Sequence, residues 1–70
     1  MLKIKQYNET QVLRHIRIHN RSTVNFLSKE IGINRYQVYR SLVSLQYRNL
    51  VEPIPNTYPT VWRFTQGANY

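Results

Sequence analysis

The sequence predicts an α+β fold, three helices followed by a β-hairpin. Three observations carry that expectation. Apolar residues recur at helical spacing in three consecutive stretches between residues 8 and 48. A stop signal at Gly32 and a start signal at Asn34 divide the last two stretches. Beyond residue 50, prolines and polar turn residues then separate two short runs rich in β-branched and aromatic side chains.

The first helix is expected at "NETQ", with Asn8 as cap and Gln11 reaching back to it as a capping box. Val12, Leu13 and Ile16 form its apolar stripe, which fades at "HNRS". Thr23 is the expected cap of the second helix. Val24, Leu27 and Ile31 face inward there, and Gly32 ends it, because glycine enters the left-handed region without steric cost. The "ST" before this helix has the makings of a short strand. In the third helix Asn34 caps, Gln37 completes a capping box, and Ile33 with Val38 makes a hydrophobic staple. Val38, Leu42 and Leu45 continue the inward stripe until Asn49. "LVEPIP" and "TVWRFT" then flank the turn-rich "NTYP". Pro53 and Pro55 cannot donate to a ladder, so the first of these strands belongs at a sheet edge and the second can be central. Trp62 and Phe64 share one face of it and are expected to cover the helices.

The chain of 70 residues has room for one small domain. We read 1–7 as an N-terminal arm, 8–65 as the folded unit and 66–70 as a flexible tail. Such a domain buries only about 60% of the surface its unfolded chain exposes, which argues against a deep catalytic cleft. No cysteine is present, so neither a disulfide nor a thiolate metal site is possible, in keeping with a reducing cytoplasm. No apolar run is long enough for a membrane span, and "MLKIKQY" is too short for a signal peptide. Ten Lys and Arg face three Glu, giving a net charge of +7 and a pI of about 10.3. A field of that sign attracts polyanions. Because the basic residues are spread along the chain, a folded positive face is expected rather than a basic tail.

Two short helices joined by "GIN", the second of them basic, make a helix-turn-helix, and the hairpin after them has the place of a wing. On "TVNFLSKEIGINRYQVYRSLVSLQYRNLVE" and "TVWRF", residues 8–65 resemble the winged helix-turn-helix superfamily of MarR-like and ArsR-like repressors. The resemblance implies a DNA-binding domain with its third helix, 35–48, in the major groove and its wing, 53–61, on the backbone. "TYPTVWRF" is also similar to the wing of Zα domains, which bind left-handed nucleic acid. Thr57, Pro59 and Trp62 echo that wing, and Arg35 and Arg40 fall where Zα domains are basic. The chain differs in having Tyr39 and Val43 where Zα domains carry Asn and Tyr, and in one extra wing residue.

At about 100° per residue, a helix that buries Val38, Leu42 and Leu45 turns Tyr36, Arg40, Val43 and Tyr47 outward. Arg40 suits a base-edge reader, since its planar fork matches the two acceptors of guanine. Gln37 can read adenine in the same way, in competition with its capping role. Arg35 is expected on phosphate, with Tyr36 and Tyr39 on phosphate, sugar or a thymine methyl. Ser28, Lys29 and Asn34 stand where they can clamp backbone, and Tyr58 and Arg63 of the wing can reach a neighbouring groove or phosphate.

Other constellations point elsewhere only weakly. His15 and His19 are four apart, a zinc-compatible spacing, but with Glu9 as the nearest further ligand they read as ordinary histidines beside the buried stripe. There is no nucleophile elbow and no glycine-rich phosphate loop, so neither an enzyme nor a cofactor is expected. Leu2, Ile4, Ile18 and Phe26 lie off the inward stripes; they form either a partner or homodimer patch, or a surface over which the N-terminal arm folds. The expected function is a small transcription regulator on double-stranded DNA, located with the genome in the cytoplasm or a eukaryotic nucleus. Its size suits a phage or other mobile element. The alternatives are a winged-helix protein adaptor and, less favoured, a Z-form nucleic-acid binder.

Overall fold

The computed structural model describes residues 4–65, with side chains from Tyr7 onward. The elements run α1 (Ile4–His19), β1 (Arg21–Thr23), α2 (Val24–Ile31), α3 (Arg35–Tyr47), β2 (Val51–Ile54) and β3 (Val61–Phe64). Three helices pack on one face of a three-stranded antiparallel sheet of order β1-β3-β2. The "ST" segment is thus a strand, the proline-bearing β2 lies at an edge, and β3 is central, each as the residue chemistry requires.

The first helix departs from expectation. It starts at Ile4, so residues 4–7 are helical rather than part of an arm. Asn8 lies inside it at 7% exposure and caps nothing; the Asn8–Gln11 capping box does not form. Neither Pro nor Gly interrupts the chain before Gly32, so nothing local stops the helix from extending back past Asn8. Its other end is Asn20, at φ 70°, whose N–H donates to the Ile16 carbonyl at 2.7 Å. Of the arm, Leu2 lies outside the described residues and Ile4 contributes backbone alone; residues 66–70 also lie outside.

The remaining punctuation matches the sequence. Thr23 Oγ1 accepts the Phe26 N–H at 3.1 Å at the start of α2. Asn34 and Gln37 form the reciprocal capping box of α3. Asn49, at φ 61°, turns the chain out of α3, and the Leu50 N–H returns to the Leu45 carbonyl at 3.0 Å.

The core draws on every helix and both wing strands: Val12, Ile16, Leu27, Val38, Leu42, Leu45, Val51 and Trp62 are buried. Leu13, Val24, Ile31, Ile33, Leu50 and Phe64 pack around them. One ion pair ties α1 to the end of α3, the largely buried Glu9 carboxylate lying 3.5 Å from Arg48. No described helix is long and apolar enough to cross a membrane.

This arrangement predicts that Leu42→Ala lowers unfolding free energy by about 2–5 kcal/mol, through lost transfer energy and a residual cavity. Ile18→Ser, at a site 68% exposed, is expected to change it by no more than about 0.5 kcal/mol. Urea denaturation of the two variants checks both values.

Candidate nucleic-acid interface

The geometry of α3 is fixed by the three residues before it. Gly32 ends α2 at φ 85°, with its N–H donating to the Ser28 carbonyl at 2.9 Å. Nothing lies within 4 Å of where a Cβ would stand, so the requirement for glycine is one of backbone conformation and not of space. Ser28 donates its hydroxyl to the Ile33 carbonyl, closing the turn from the α2 side. The half-buried Ser28 therefore stitches the motif together instead of standing ready for phosphate. Asn34 Oδ1 accepts the Gln37 N–H at 2.8 Å, and Gln37 Oε1 accepts the Asn34 N–H at 3.3 Å. Gln37 is half-buried, so capping has prevailed over its reading role.

The outward side of α3 carries Arg35, Tyr36, Tyr39, Arg40 and Tyr47, all exposed, and the helix contains no acidic residue. Tyr36 and Arg40 work as a pair. Arg40 donates from Nη1 to the Tyr36 hydroxyl at 2.9 Å, and its guanidinium carbon lies 5.7 Å from the Tyr36 ring centroid. One N–H of five is thereby engaged, and the side chain is held along the helix with the rest of its fork unused by this bond. Arg35 donates to Asn25 Oδ1 of α2 at 3.3 Å. Asn25 is a contributor that the sequence reading missed: the two residues are ten apart in the chain, and no local spacing links them.

Val43 does not match its expected place. It is half-buried, and with Tyr39, Gln46 and Tyr47 it lines a shallow depression of about 560 Å³ toward the C-terminal half of α3. Its angular position between the buried Leu42 and the exposed Tyr47 accounts for this intermediate burial. Tyr39 bridges to the wing, its ring edge-to-face with buried Trp62 at 6.5 Å between centroids.

At the wing tip Thr57 donates to the Ile54 carbonyl at 2.7 Å and accepts the Val61 N–H at 3.0 Å, closing the hairpin. Tyr58 projects from it at 98% exposure. Arg63 sits elsewhere, at the wing base, ion-paired with Glu52 across the β2–β3 ladder. Lys29 and Asn34 are exposed near the helix-turn-helix entrance.

The remaining candidates do not join this face. Ile18 lines one shallow depression with Thr10 and Leu13, and Phe26 lines another with His19 and Ile54. Phe26 packs edge-to-face on His19 at 5.0 Å. His15 donates from Nδ1 to the Gln11 carbonyl at 2.9 Å. Among the described residues no three potential metal ligands converge.

A protein-family model described as the sugar-specific transcriptional regulator TrmB matches residues 3–66. The chain belongs to the TrmB family. No curated protein matches it. Among solved structures, this TrmB-family chain is similar to the Zα domain of PKZ from Carassius auratus, solved in complex with Z-DNA. The two share 28% identity at a TM-score of 0.82, over 90% of this chain and 100% of that one. The apo Zα domain of zebrafish PKZ is similar at 28% identity and a TM-score of 0.81, covering 91% and 100%. Oxidised MarR from E. coli is similar at 27% identity and a TM-score of 0.75, covering 84% of this chain but only 43% of MarR. The fold is therefore a winged helix-turn-helix, and the family to which it belongs is one of transcriptional regulators.

Asn34→Ala removes the side-chain acceptor of the capping box, the Oδ1 that takes the Gln37 N–H, and leaves the backbone N–H at 34 to Gln37 Oε1. It is expected to cost about 1 kcal/mol of stability. Amide hydrogen exchange should show the loss first in the opening turn of α3.

Proposed function

We propose that this chain binds double-stranded DNA with a sequence preference, α3 entering the major groove and the wing tip lying against the backbone. The observation that carries this reading is the Tyr36–Arg40 pair, a guanidinium aligned by its neighbour on a helix face without carboxylates. Arg40 reads a base edge, the fork fitting guanine O6 and N7. Arg35, oriented by Asn25, and the exposed Lys29 take phosphates. Tyr36, Tyr39 and Val43 supply hydroxyl and apolar contacts, and Tyr58 touches the backbone from the wing. Asn34 and Gln37 act by positioning the helix and Ser28 by closing the turn. Arg63, engaged by Glu52, is outside the set. A single module of this size makes few base contacts, and two copies on a two-fold site double them. The folded unit for this purpose runs to residue 65, and the protein acts where the genome is, in cytoplasm or nucleus.

If about five phosphates are neutralised, log affinity for a selected duplex falls against log salt with a slope of about −4.5. Arg40→Ala should weaken the selected site about tenfold or more while leaving random duplex nearly unaffected. Fluorescence anisotropy over a salt series measures both, and titration at stoichiometric concentration gives the number of copies per site. A flat salt dependence would instead favour a protein adaptor.

Two observations favour a second reading, a Z-form nucleic-acid binder. The Tyr39–Trp62 contact joins reading helix and wing, and a domain similar over its whole length was solved with Z-DNA. On this reading the protein inverts the circular dichroism of an alternating CG duplex at low salt, and Trp62→Ala abolishes the inversion. An unchanged spectrum at saturating protein leaves the right-handed duplex as the ligand.

A further inference from the structure

The outer face of the sheet carries a charge arrangement that the DNA-binding reading does not use. The register places Arg21 of β1 directly opposite Arg63 of β3, and Arg63 directly opposite Glu52 of β2. The row thus reads cation, cation, anion. Like charges opposed across an antiparallel pair are unfavourable, and Glu52 is committed to Arg63. Arg17, at the end of α1, approaches the same place, its guanidinium carbon 5.5 Å from the Phe64 ring centroid. Of the chain's three carboxylates, Glu9 pairs with Arg48 and Glu52 with Arg63. Among the described residues neither Arg17 nor Arg21 meets a carboxylate.

These side chains surround a concavity of about 690 Å³, walled by Arg17, Arg21, Arg63, Glu52, Phe64 and Thr65. That volume is in the range of small-molecule sites. The Thr65 hydroxyl oxygen is buried and makes no hydrogen bond with any described residue, although the Thr65 N–H continues the ladder to the Leu50 carbonyl at 2.9 Å. That hydroxyl lies beneath the wall of the concavity rather than on it. No residue of α3 or of the wing tip lines the concavity.

We propose that this concavity binds a small phosphate-bearing molecule, separately from nucleic acid. The guanidinium forks of Arg17 and Arg21 match the paired oxygens of a phosphate. Arg63 bridges from Glu52 toward the same group. The Phe64 ring beneath the Arg17 guanidinium carries that side chain along the wall of the concavity. The Arg21–Arg63 opposition is then relieved by the anion placed between them. Glu52 holds Arg63 in position at the cost of repelling an anion, so it sets how much negative charge the site accepts. Both wing strands contribute, through Glu52 and Arg63, so occupancy bears on the hairpin whose tip lies at the other end.

The probes are inorganic phosphate and pyrophosphate, titrated at low salt into the full chain and followed by amide and arginine side-chain NMR. The expected result is saturable shifts at Arg17, Arg21, Arg63 and Thr65, pyrophosphate binding more tightly than phosphate. Arg21→Ala and Arg17→Ala should each weaken pyrophosphate about tenfold, since each removes a charge-assisted contact. Glu52→Gln, by removing the repelling charge, should tighten it. That gain cannot come from a misfolded variant. Binding to the selected duplex should stay within about twofold in Arg21→Ala. Shifts spread evenly over α3, or no saturation, would overturn the proposal. So would a duplex salt slope reduced by about one in Arg21→Ala with pyrophosphate inert, because the arginines would then hold a DNA phosphate. The phosphate and pyrophosphate outcomes do not depend on whether Arg40 reads a base.

Discussion

The surface that α3 presents depends on one short turn. Between the end of α2 and the start of α3 stand only Gly32, Ile33 and Asn34. Gly32 reverses the chain in the left-handed region, and the Ser28 hydroxyl locks the Ile33 carbonyl. Asn34 then restarts the helix with two reciprocal bonds. Two helix ends are satisfied within three residues, which leaves little freedom in the angle between the helices. Ile33 adds a side chain that packs on the core. The outward aim of Tyr36 and Arg40 is thus set by the hydrogen bonds of the turn upstream together with their own mutual bond.

The sheet provides the second constraint. Its central strand β3 sends Trp62 into the helices, and Tyr39 meets that indole from α3. Helix α3 and the hairpin therefore share an aromatic contact in addition to the common core. The opposite face of the same strand carries Arg63 between Arg21 and Glu52. One four-residue strand serves two surfaces because successive side chains point to opposite sides. Arg63 therefore faces the arginine-lined concavity while Trp62 of the same strand is buried among the helices.

Features set by neighbours in sequence were legible before any coordinates. The Asn34–Gln37 box, the Thr23 cap, the Gly32 stop and the turn at Asn49 each need only a few adjacent residues, and each is present. The edge position of β2 follows from Pro53 alone. The start of α1 was misread because Asn8 has the chemistry of a cap, whereas tertiary burial places it mid-helix. Within the candidate site, the exposure of Tyr36 and Arg40 could be read from periodicity, but their mutual bond required a rotamer. Asn25 with Arg35, Glu9 with Arg48 and the commitment of Arg63 to Glu52 join different elements, and no pattern in the linear chain announces them. Val43 shows the limit of the helical wheel, which assigns a direction but not how far neighbouring side chains rise around it.

Both borders of the sheet are poor templates for another strand. Pro53 interrupts the donors along β2, and β1 offers only three residues before the chain coils into α2. A newcomer would find too few consecutive amides and carbonyls to zip onto. Self-association by ribbon extension is therefore discouraged at either margin. Among the described elements, the strands offer the least to a second copy.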